Sequence, residues 1–167
     1  MSQYQLRYRT PHPLFHIISL FFLTLFTVAQ VHAGITLKVK TDKDKEEDVT
    51  LYKGSYALLI GASNYRGGWP SLESIDGELN DVENLLTQKG FVVKRVSDPD
   101  SKQLYDAFLN FINSHGYDPN NRLLFFFSGH GYTRKNGKKG YLVPVDAPDP
   151  DKDERGFLAK ALGMNHI

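Results

Sequence analysis

The chain contains no cysteine. That excludes disulfides, thiolate metal sites and a lipid-modified N-terminal cysteine. Net charge is also nearly absent, with 20 Lys and Arg against 19 Asp and Glu. Without a basic excess there is no electrostatic footprint for a nucleic acid. The apolar run from Ile17 to Ala29 falls short of the about 20 apolar residues that a spanning helix takes. Asp42, Asp44 and Asp48 lack the glycine and closing glutamate of an EF-hand loop and read as a solvated charge run. Gly61–Arg66 fits neither the dinucleotide fingerprint nor the P-loop spacing. Nor is there a Gly-x-Ser-x-Gly elbow, because Phe126 stands where its first glycine would precede Ser128.

What is present begins at the N-terminus. Arg7 and Arg9 precede the apolar run, and Val31-His32-Ala33 places short residues before Gly34. A charged segment, an apolar segment and an A-x-A-like site make residues 1–33 a secretory signal peptide. An uncleaved N-terminal anchor is the alternative. Removing 1–33 takes away two arginines and no acids, which leaves the rest close to neutral. The expected location is therefore secreted or periplasmic, with no stable membrane anchor.

The 167 residues suit one folded domain. Residues 34–54 read as a charged linker or edge strand: Ile35–Val39 alternates, and Thr41–Asp48 is of mixed charge. The folded unit is placed at residues 55–167. Tyr56–Ile60 is a continuous apolar run closed by Gly61, the pattern of a strand buried on both faces. Leu72, Ile75, Leu79, Val82 and Leu86 recur at helical spacing, with Gly90 placed to stop that helix. A second strand follows at Phe91–Val96. Asp98-Pro99 then reads as the N-cap and first residue of a helix whose buried stripe is Leu104, Tyr105, Phe108, Leu109 and Ile112. Leu123–Phe127 is a third strand, Asn136-Gly137 a hairpin turn, and Phe157–Leu162 the start of a short helix. Strand–helix–strand–helix–strand order implies an α/β fold with a parallel sheet and helices on both faces. Ligands bind such sheets beyond the carboxyl ends of the strands.

His130 falls at that edge, between Gly129 and Gly131. The flanking glycines leave the imidazole uncovered, and the Gly131 N–H is free to meet a reacting oxygen. A base and an oxyanion donor then come from adjacent residues. On spacing alone, a loop histidine bonded only to its neighbours fits equally well. Ser128 shares a face with His130 but stands too far from it for a direct nucleophile–base bond. His115 reads as a cation at a helix C-terminus, and three histidines beyond residue 33 show no metal-site spacing.

Four blocks carry a resemblance: Tyr56–Gly61 with Asn64-Tyr65, Leu79–Val82, Ser128–Tyr132, and Tyr141–Ala147. In this order and spacing they resemble the caspase-like cysteine peptidase superfamily, nearer to its bacterial and metacaspase-type members than to animal caspases. The likeness covers about residues 55–167. It implies a three-layer α/β/α sandwich with a mainly parallel sheet, and a Cys–His dyad endopeptidase acting on protein or peptide substrates without a cofactor. It implies His130 as catalytic histidine and Gly131 N–H as an oxyanion donor. It matches Asp81 and Ser128 to members of a pocket for a basic substrate residue. From spacing alone, Asp81 reads as a surface acid of an amphipathic helix. Ile75 stands near the position where animal caspases carry an aspartate-reading arginine. In caspases the histidine precedes the cysteine by about 50 residues. The expectation is thus a catalytic domain cut before its nucleophile strand, inactive alone, with its C-terminal part lying beyond Ile167. The alternative is a non-catalytic module that binds peptides or partners.

For the N-terminus, cleavage after Ala33 is expected. N-terminal sequencing of exported protein should begin at Gly34, and material beginning at Met1 would contradict the leader.

Overall fold

The computed structural model describes residues 34–40, 45–134 and 137–166. The expected leader lies outside the described residues, as does the His166 side chain. No helix among the described residues is long and apolar enough to cross a membrane.

Strand β3 (Gly54–Gly61) is the centre of a three-stranded parallel sheet. It lies between β4 (Val92–Ser97) and β5 (Asn121–Ser128). The alternation of its side chains assigns the two faces. Ala57 and Leu59 pack with Ile75, Leu79 and Leu86 of helix α1 (Ile75–Gln88). Leu58 and Ile60 pack with Leu104, Ala107 and Phe111 of α2 (Ser101–His115). Leu58, Leu59 and Ile60 have no exposed surface, each such side chain contributing about 1.5–3 kcal/mol by burial. The result is the expected α/β/α arrangement.

Helix α1 ends as its sequence dictates. Gly90 takes φ +78°, and the Gly90 and Phe91 N–H groups donate to the Thr87 and Leu86 carbonyls, a Schellman closure that favours glycine. The start of α2 differs from expectation. Its N-cap is Asp100, in a reciprocal capping box with Gln103. Pro99 is buried outside the helix, and Asp98 is released for another task.

The N-terminal segment is more ordered than a linker. β1 (Ile35–Lys40) and β2 (Glu46–Tyr52) form an antiparallel pair of their own. Opposite charges face across it, Lys38 against Asp48 and Lys40 against Glu46, which is how a mixed-charge run sustains a strand.

Beyond the parallel sheet, β6 (Gly131–Arg134), β7 (Lys139–Leu142) and β8 (Leu162–Gly163) form an antiparallel sheet. The hairpin is present, with Arg134 paired to Lys139. Asn136 of the expected Asn136-Gly137 turn lies outside the described residues. Helix α3 (Glu154–Lys160) precedes β8, capped by Asp153 accepting from the Gly156 N–H. A third core of Ala62, Tyr65, Val143, Val145, Ala147 and Phe157 joins this part to the carboxyl ends of the parallel strands. Among the described residues β5 pairs only with β3 within the parallel sheet, so its far edge is open.

Candidate active site

Gly61, Ser97 and Ser128 lie in register across the three parallel strands and mark their carboxyl edge. His130 sits two residues past that row and is half-buried. Its ring nitrogen Nε2 lies 2.9 Å from the Pro70 carbonyl oxygen. A carbonyl only accepts, so Nε2 carries the proton in the neutral ring and Nδ1 keeps its lone pair. No described residue bonds Nδ1. The imidazole is flanked by Tyr65 and Trp69, with ring centroids 4.7 and 5.1 Å away. Trp69 in turn packs on Phe157.

Gly131 opens β6 opposite Leu142. The Val143 N–H donates to the His130 carbonyl, which makes Gly131–Leu142 the non-hydrogen-bonded kind of antiparallel pair. Its N–H therefore points away from β7. A lone pair at Nδ1 and an N–H directed away from β7 thus belong to adjacent residues.

The main chain of His130 is held by Tyr65. The His130 N–H donates to the Tyr65 hydroxyl at 2.7 Å, and that hydroxyl donates to the Val143 carbonyl at 3.1 Å. Burial pushes the Tyr65 phenol up to about 12, the His130 N–H opposes that, and the Asp98 charge adds to it. The hydroxyl stays protonated at neutral pH and can both accept and donate.

Tyr65 and Pro70 belong to one loop, and Asp98 fixes its start. Asp98 has φ +48°, a left-handed conformation that aspartate tolerates better than most residues. Its carboxylate accepts from the N–H groups of Ser63 and Asn64 at 2.7 and 2.9 Å and from Asn64 Nδ2 at 2.6 Å. Burial pushes its pKa up, but the Asn64 and Ser63 donors, with the Arg66 charge, outweigh burial and hold it below the ordinary 3.8. Ser63 closes the loop by donating from Oγ to the Leu72 carbonyl and accepting the Leu72 N–H. Farther along, Gly67 meets Ala147 so closely that an added Cβ would lie 2.1 Å from its oxygen.

Ser128 donates to Glu78 Oε2 at 2.9 Å, and Glu78 Oε1 accepts from Ser74 at 2.9 Å. Glu78 lies in the first turn of α1, beside the carboxyl edge of the sheet. Asp81 lies one turn further along, exposed, with no hydrogen bond or ion pair among the described residues. Ser128, His130 and Gly131 are thus brought together, and Asp81 has no bond to any of them. Sequence reading missed Glu78, Pro70, Asp98 and the role of Tyr65. Glu78 was findable as the acid that flanks the Ile75–Leu79–Val82 stripe at the helix start. The Pro70 carbonyl leaves no signal of residue type. His115 does close α2, and it also stacks on Tyr56 at 3.8 Å. No cluster of metal-ligating side chains occurs among the described residues.

A family model described as the caspase domain matches residues 55–164. The chain belongs to the caspase-domain family. The match spans the parallel sheet, both its helices and the His130 edge. The chain is 34% identical over 116 residues to human mucosa-associated lymphoid tissue lymphoma translocation protein 1. It is 31% identical over 118 residues to the mouse homolog. Each match covers 68% of this chain but 13% of the relative, so the chain corresponds to a small part of those proteins. A peptidase family is what the caspase-domain match gives.

Asp98→Asn isolates the loop anchor, since asparagine keeps the left-handed backbone but puts an amide where an acceptor is needed. At neutral pH it should cost about 1 kcal/mol, allowing for the site's solvent exposure. The wild-type advantage is complete above the unfolded value near 3.8 and is lost as pH falls through the lower folded value. Chemical denaturation of both proteins at pH 7 and in stronger acid checks this. A gap that widens in acid would contradict it.

Proposed function

We propose that this chain carries the histidine half of a caspase-type cysteine endopeptidase that cleaves after Arg or Lys, with the cysteine on a strand C-terminal to Ile167. The observation that carries this reading is the Nε2–Pro70 bond, which leaves Nδ1 as acceptor on the residue next to Gly131.

The chemistry follows from those atoms. Nδ1 takes the thiol proton, and the thiolate attacks the scissile carbonyl carbon. Negative charge gathers on the carbonyl oxygen, where Gly131 N–H donates to it. The imidazolium then returns its proton to the leaving amine as the carbon–nitrogen bond breaks. Water, deprotonated by the same nitrogen, hydrolyses the thioester. No cofactor enters these steps.

For the substrate's basic residue, Ser128 and an α1 acid are the proposed readers. Asp81 is the acid that matches by resemblance, but Glu78 is the acid bonded to Ser128. We place the main charge at Glu78, with Asp81 as an outer contributor. The second reading is a peptide-binding module without catalysis.

One experiment separates these readings. In a form of the protein extended to include its nucleophile, peptides with Arg, neutral or Asp residues before the scissile bond are compared. His130→Ala should lower kcat by about 10²–10⁴-fold or more. Glu78→Gln should raise KM for the Arg peptide by about tenfold, the worth of one charge-assisted bond, with little change for the neutral peptide. Asp81→Asn should do less. Full activity in His130→Ala would remove the base assignment, no cleavage by the unsubstituted extended form would remove the enzyme reading, and faster cleavage after Asp would remove the specificity. A larger effect from Asp81→Asn would return the charge to Asp81.

A further inference from the structure

We infer that Tyr65 is a positioning residue whose hydroxyl is an inserted rung of the β6–β7 ladder, setting His130 and Gly131 for catalysis. This rests on the reading of His130 as base. In an antiparallel pair of the hydrogen-bonded kind, two residues exchange both N–H···O bonds directly. His130 and Val143 exchange one of them directly, from Val143 N–H to the His130 carbonyl at 3.1 Å. The other is relayed: His130 N–H to the Tyr65 hydroxyl, then Tyr65 hydroxyl to the Val143 carbonyl, at 2.7 and 3.1 Å. A direct rung spans about 2.9 Å, so the relay holds the chain open by about the width of an oxygen at the residue carrying the base.

Gly129 supports this independently. An added Cβ there would lie 2.7 Å from the Tyr65 hydroxyl oxygen and 2.9 Å from the Phe127 ring. Gly129 has no positive φ, so close approach, not backbone conformation, explains the glycine. Tyr65 is itself buried among Ala62, Val143 and Val145, and its raised pKa keeps the hydroxyl a donor.

Removing the hydroxyl while the buried ring stays between the two chain segments leaves the His130 N–H without its partner. That loss disturbs the ring against the Pro70 carbonyl and swings the Gly131 N–H.

The test is Tyr65→Phe, which keeps the ring. Amide exchange on this chain should show the His130 N–H exchanging about tenfold faster or more, with the β3 amides unchanged. In the nucleophile-containing form, kcat should fall about 10- to 100-fold, as a displacement of about 1 Å does, with KM within about twofold. Wild-type kcat in Tyr65→Phe overturns the positioning role, and so does unchanged His130 exchange. If Tyr65→Phe does not fold, Gly129→Ala, which crowds the hydroxyl but keeps it, should lower kcat in the same way, and wild-type kcat there overturns the proposal. Full activity in His130→Ala is the separate failure of the base assignment, and leaves the exchange result as a test of the rung alone.

Discussion

The hydrogen bond between His130 Nε2 and the Pro70 carbonyl decides which nitrogen of the ring can act. The rest of the site makes that bond possible. Pro70 is presented by a loop that leaves β3 at Gly61 and returns at Leu72, and Ser63 ties its two ends. Asp98 at the end of the neighbouring strand β4 receives three donors from Ser63 and Asn64 and so fixes where the loop starts. The same loop supplies the Tyr65 hydroxyl to the His130 main chain. Base and main chain are therefore oriented by one segment, which is oriented by one carboxylate.

This arrangement puts weak and strong parts of the structure in an effective order. The parallel strands are held by apolar burial on both faces, where Leu58, Leu59 and Ile60 have no exposed surface. The site occupies the carboxyl edge of those strands, where turns and polar groups take over. A core of Phe157, Val143, Val145 and Ala147 with Trp69 and Tyr132 against it backs that edge. The Trp69 indole N–H is buried with no partner among the described residues, at a cost of about 1–3 kcal/mol. Its place beside the imidazole is maintained by packing, not by a bond of its own.

Much of this was legible in the sequence, for identifiable reasons. Tyr56–Ile60 reads as a doubly buried strand because every residue is apolar, and the two helices declare themselves by stripes with a 3.6-residue period. His130 stands out because glycines flank it at a strand end. Other features are silent. Asp98-Pro99 imitates a helix start, and only the Asp100–Gln103 box shows which of two aspartates caps the helix. β2 hides in a charge run because its charges are answered across the pair by Lys38 and Lys40. β8, two residues long, has no periodicity to read. Asp81 and Glu78 are both acids on one helix, and only the bond to Ser128 tells them apart. A backbone carbonyl such as that of Pro70 is carried by every residue and cannot be found by type.

The account stands or falls on the state of one ring. Nitrogen-detected NMR of the His130 imidazole in this chain, at a pH where the ring is neutral, reads the tautomer directly. The account predicts a protonated Nε2 hydrogen-bonded to a carbonyl and an unprotonated Nδ1. A proton on Nδ1, with Nε2 bare, would contradict it, because the nitrogen assigned as the base would then have no lone pair to offer.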